Sequence, residues 1–173
     1  MVQSCHMNTI TSDSHLRRFA YFVAGPRDFA INVAINGTVA WWIFGGSESV
    51  PLAGTESIFK MLLPMSAIES TLTSFFGLLS GSRELSERAA IKTMILQRNW
   101  IALAIGFSLI QGILGFSVFV AAMYAARWIA PEATLSPRSV PLIVGLLSGI
   151  LAYVLHSKAV IKAETLFSGG RTT

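Results

Sequence analysis

The chain has 173 residues, of which 53% are hydrophobic and only 13% charged, with a net charge of +4. A soluble domain carries about 25% charged residues, and the mean hydropathy of +0.60 also points to a membrane protein. No arginine-rich, aromatic-interleaved surface is present, which argues against nucleic-acid binding; the single cysteine, Cys5, excludes an intrachain disulfide and a Cys-x-x-Cys redox pair.

Residues 1–15 are polar and read as a disordered tail. Cys5, His6 and Met7, with His15 nearby, are soft-metal ligand types, but nothing there fixes a ligand geometry, so no metal site is expected. The segment lacks the apolar core and cleavage site of a secretory signal. Leu16 to Val23 mixes Arg17 and Arg18 with Phe19, Tyr21 and Phe22, a short interfacial segment with basic groups at lipid headgroups and rings at the boundary. Gly25-Pro26 is expected to break it and to start a new helix.

The first span covers residues 28–45. Asp28 lies in its first turn, where the helix dipole favours negative charge. Asn32 and Asn36, four apart, share a face, and Trp41 and Trp42 suit an aromatic belt. The second span covers 57–81. Lys60 snorkels near its outer end, and Pro64 predicts a kink. A stripe of Ser66, Glu69, Ser70, Thr73, Gly77 and Ser80 recurs at helical spacing on one face. A carboxylate at that depth is costly unless it is paired, protonated, or turned to protein or water.

Residues 82–99 form a charged connector on the cytoplasmic side, with an expected Glu84–Arg88 pair at i,i+4. The third span, 100–129, carries Gln111 near its middle and small residues (Gly106, Ser108, Gly112, Gly115) that allow close helix approach. The fourth, 140–157, contains Gly145-x-x-x-Gly149, a packing motif, and ends at His156. Residues 167–173 form a tail. The resulting expectation is an all-α integral membrane four-helix bundle over 16–166. Basic residues cluster before span one, between spans two and three, and after span four, which predicts both termini in the cytoplasm.

Helical rise places Asn36 about 12 Å, Glu69 about 16 Å and Gln111 about 18 Å from the cytoplasmic boundary, in one layer near the midplane. Amide donors favour the charged form of a carboxylate and dehydration the protonated form. A protonatable carboxyl among amides and hydroxyls is what a proton- or cation-coupled site needs. The expected transport or ion-binding residues are therefore Glu69, Asn36, Gln111, Ser66, Ser70, Thr73 and Asn32, with His156 as a cytoplasmic-side group. The competing expectation is a glutamate held only to fix helix register, in a non-transporting accessory, assembly or regulatory subunit whose connector faces a membrane-protein partner. No His-Glu-x-x-His, Gly-x-Ser-x-Gly or Walker loop is present, so no cofactor is expected, and a membrane enzyme, which would need a cytoplasmic-side cleft near His156, is the third and least favoured reading.

The run Asn32 to Trp42 (NVAINGTVAWW), followed by Val50-Pro51-Leu52-Ala53-Gly54 and Ser57-Ile58, resembles a pattern in small, mostly uncharacterised bacterial inner-membrane proteins. This resemblance covers spans one and two and implies a bacterial inner membrane. Four short spans with one membrane glutamate also look like the small multidrug-resistance exporters. Here, however, the glutamate is on the second span and the chain is longer, so no residue role carries over. Packing motifs on spans three and four lead to the expectation of a homo-oligomer in the bilayer.

Overall fold

The computed structural model describes residues 14–52, 57–88 and 100–167. Four long helices dominate: α1 (Gly25–Phe44), α2 (Ile58–Arg88), α3 (Trp100–Ile129) and α4 (Val140–Phe167). Three of them, α2, α3 and α4, are long and apolar enough to cross a membrane. By composition α1 falls short, because its 20 residues include Arg27, Asp28, Asn32 and Asn36. The motif Cys5-His6-Met7, residues 89–99 of the connector and the tail from 168 lie outside the described residues.

Gly25-Pro26 does not break the chain. Helix already runs through residues 14–19 and continues through a π-helical turn, Ala20–Ala24, directly into α1. Pro26 has no N–H, and its ring conflicts with the carbonyl four residues back. The chain absorbs this by widening one turn, and the Gly25 N–H bonds to the Ala20 carbonyl. The Tyr21 carbonyl then has neither Gly25 nor Pro26 as a helical donor. Tyr153 of α4 fills the gap, its hydroxyl donating to Tyr21 O at 3.3 Å. Ser157 Oγ donates to Ala20 O at 3.1 Å. Leu16, Ala20 and Ala24, spaced by four, bury against Val160 of α4. One side of the expected interfacial segment is thus docked on protein, while Tyr21, Phe22 and Val23 stay exposed.

In cross-section α4 is central. It packs against α1 on one side and α2 on another, and α2 in turn carries α3 on its far side. Gly145 and Gly149 meet α1: a Cβ at Gly145 would lie 2.9 Å from Val33 O, and one at Gly149 2.9 Å from the Phe29 ring. Gly77 and Gly81 of α2 meet Ala159, Val160 and Ala163 of α4, and Gly112 and Gly115 of α3 meet α2. These glycines are therefore used in contacts within one chain, whereas Gly106 of α3 meets nothing among the described residues. They lend no support to a second copy.

Two short strands tie the loops together. β1 (Val50–Pro51) pairs antiparallel with β2 (Thr134–Leu135), in the register Val50 to Leu135 and Pro51 to Thr134. Both loops therefore lie at one end, and the start of the helical chain, the end of α2 and the end of α4 share the other. At that second end His15 Nδ1 lies 3.7 Å from Glu84 Oε1. Residues 14 and 15 thus belong to a helix rather than to a tail. Glu84 meets His15, and Arg83 pairs with Glu87 at i,i+4, 3.6 Å apart; the expected Glu84–Arg88 pair involves the Arg88 side chain, which lies outside the described residues. α2 runs on to Arg88 instead of ending near 81, and α4 to Phe167 instead of 157.

Apolar clusters occupy both ends. Ala40, Phe44, Val50, Ile58, Leu62, Val140 and Val144 pack near the strands. Leu78, Ala104, Ala159 and Ala163 pack toward the opposite end. Most buried polar side chains of α1 and α2, among them Asn36, Ser66, Glu69, Ser70 and Thr73, lie in the layer between them.

Candidate functional site

α1 and α2 both lean on α4 and stay apart from each other along most of their length. A cleft of about 760 Å³ opens between them, with α4 behind. Its α1 wall is built at four-residue steps: Asp28, Asn32 and Asn36 lie one above the next on one face. Its α2 wall carries Glu69, Thr73 and Ser80, and α4 contributes His156. The lips are apolar and exposed, Ile31 and Ile35 on one side and Ile68, Leu72 and Phe76 on the other. The cleft is therefore polar at the back and apolar at the rim.

Glu69 is 8% exposed. It lies 11 residues after the first residue of α2, about 16 Å along the helix axis. Asn36 Nδ2 donates to Glu69 Oε2 at 3.3 Å, bridging the cleft. The Ser148 hydroxyl of α4 neighbours the carboxyl group, and Oε1 has no hydrogen-bond partner among the described residues. No Lys or Arg is paired with Glu69 among the described residues; the nearest cation along the cleft wall, Arg27, is 3.6 Å from Asp28.

About 12 Å of helical rise separates Asn36 from Asp28. There Asp28 Oδ2 and His156 Nδ1 are in ion-pair contact. His156 is 1% exposed, and its Nε2 has no hydrogen-bond partner among the described residues. It is thus a buried residue of the cleft, not one at a wet boundary. Asn32 Nδ2 donates to the Asp28 carbonyl at 2.9 Å, turning the middle rung of the α1 wall toward the helix end.

The expected site residues separate into two groups. Glu69, Asn36, Asn32, Thr73 and His156 share the cleft. Ser66 and Ser70 do not: Ser70 faces α3, where a Cβ on Gly115 would meet Ser70 Cβ at 2.9 Å, and the Ser66 hydroxyl donates to Leu63 O at 2.8 Å. Gln111, on α3, is half-buried and outside the cleft lining. The reason is angular. On α2, Glu69, Thr73 and Ser80 occupy one sector, Gly77 and Gly81 the next, and Ser70, Ser74 and Leu78 the one beyond. The single stripe read from the sequence serves three neighbours.

Two members went unseen in the sequence. Asp28 read as a dipole-complementing charge, yet its spacing of four from Asn32 was the available signal. Ser148, eight before His156 on α4, carried the same signal more weakly.

A second cavity of about 600 Å³ lies between the strand-side halves of α1 and α2, lined by Ser47, Ser57, Lys60, Pro64 and Met65 among others. Met65 lines both cavities. It stands one helical turn before Glu69. Among the described residues no cluster of three or more His, Cys, Asp or Glu is placed to hold a metal ion.

No protein-family profile matches this chain, and no curated protein or solved structure is similar to it.

Proposed function

We propose that this protein is a small membrane transporter or channel for a proton or a cation, with Glu69 as its titrating group. The observation that carries this reading is a buried carboxyl group, one oxygen unpartnered among the described residues, one helical turn from Met65, which lines both cavities. A cavity approaches it from each end of the α1–α2 cleft, which is the arrangement a group exposed alternately to two sides requires. In this reading α1 is a fourth span. Its polar wall turns into the cleft, and its exposed apolar residues Ile31, Ile35 and Ile43 meet lipid. The end bearing Arg17, Arg18, Arg27, Lys158 and Lys162 faces the cytoplasm.

Purified protein in liposomes under an imposed pH gradient tests it. Wild type should move protons or a cation, and Glu69→Gln should lower the flux by about tenfold or more with unchanged elution. Equal flux in the two would remove Glu69 from the path. No wild-type flux with any ion would leave the accessory-subunit reading.

A further inference from the structure

We infer that the Asp28–His156 pair is a second proton-exchange site, the port through which Glu69 communicates with the cytoplasmic end of the cleft. This rests on the transport reading and adds the route. Three observations meet here. His156 is almost wholly buried yet lines the cleft. Its Nδ1 contacts Asp28 Oδ2, and neither ring nitrogen has a hydrogen-bond partner among the described residues. Asp28, Asn32 and Asn36 then step along α1 from that pair to Glu69.

A structural ion pair has no need of an orphaned imidazole nitrogen, because burying an unsatisfied polar atom costs stability. A relay needs one, since each proton must arrive on one side of the ring and leave from it or its partner. Imidazole is the side chain suited to this in the neutral range. The charged groups in the cleft around it are Arg27 and Asp28 on α1 and Glu69 on α2. Asp28 Oδ2 contacts the ring, and Arg27 Nε lies 3.6 Å from Asp28 Oδ1. The cleft is roomy enough for water. In the inward step a hydronium ion gives its proton to the imidazole and leaves as water. The imidazolium then releases a proton through water in the cleft to the Glu69 carboxylate and returns to neutral imidazole.

Two measurements test the port. In the first, histidine-labelled full-length protein in lipid nanodiscs is followed by nitrogen NMR. Only His6, His15 and His156 contribute, so His6→Gln and His15→Gln identify the third signal. The His156 signal should change protonation state with bulk pH between about 5 and 9, and Asp28→Asn should displace that change. A ring fixed in one state throughout overturns the proposal, without requiring any His156 variant to fold. In the second, proton flux in liposomes should fall about tenfold in His156→Gln and in Asp28→Asn, and recover in Asp28→Glu. Flux that needs Glu69 but ignores His156 overturns the port and leaves the transport reading standing. No flux in wild type overturns both.

Discussion

The two sides of α2 carry similar polar side chains and do different things with them. Toward α3 the helix shows Ser70, Thr71 and Ser74 in a seam closed by Gly112 and Gly115. Toward α1 it shows Glu69, Thr73 and Ser80 in an open cleft. A hydroxyl can be met within its own helix, as Thr71 Oγ1 is by donating to Ala67 O at 2.8 Å, or be enclosed without a partner among the described residues, as those of Ser70 and Ser74 are. A carboxylate is an acceptor with no donor of its own, so Glu69 must draw its partners from other helices. A hydroxyl in an apolar helix is therefore weak evidence of a site, and a carboxylate is strong evidence.

The contrast is most severely tested where the two sides adjoin. Gly77→Leu would force a side chain into Ala159 and the His156 backbone, where even a Cβ would come within 2.7 Å and 2.9 Å. We expect a loss of about 3 kcal/mol, read as a fall in thermal midpoint in detergent, with cleft and seam failing together. Asn36→Leu removes the amide that bridges the cleft and leaves the carboxyl group short of a partner. It should cost about 2 kcal/mol in the same assay. A neutral result would mean that water or Ser148 already satisfies Glu69.

A third test sets the two sides against each other in flux. Glu69→Gln should lower transport by about tenfold, while Ser70→Ala, next in sequence but on the α3 side, should leave it unchanged. Equal effects would erase the distinction. The smallest expected effect is at Ser74→Ala. Its buried hydroxyl has no hydrogen-bond partner among the described residues, so its loss should change stability by less than about 0.5 kcal/mol. A large loss would reveal a partner, and the seam would then be more than packing.

Much of the architecture was legible because helical membrane segments announce themselves locally. Trp100–Ile129 is one uninterrupted apolar run and is a single helix. Glu69 stood out for the same reason, as the one acidic residue deep within such a run. Limits that depend on partners were less legible. α2 extends to Arg88, where charged residues suit a helix leaving the apolar region, and its Glu84 meets His15 from a distant part of the chain.

The sequence by itself determined that the chain holds helices long and apolar enough to cross a membrane, though it read four where three meet that measure, that Gly145-x-x-x-Gly149 would meet another helix, and that Glu69 needed explaining. Each follows from composition or spacing within one segment. Only the tertiary structure decided which helices are neighbours. Hydroxyls and glycines at positions 66–81 of α2 are spread over a wide arc, and periodicity gives their angles without saying what stands at each angle. With α4 in the centre, that arc was shared among α1, α4 and α3. Glu69 was thereby given Asn36, His156 was given Asp28, and Gln111 was left on the far side of α2. Pro26 makes the same point in the backbone. Its missing donor was visible in the sequence, but Tyr153, the side chain that answers the freed carbonyl, lies on another helix.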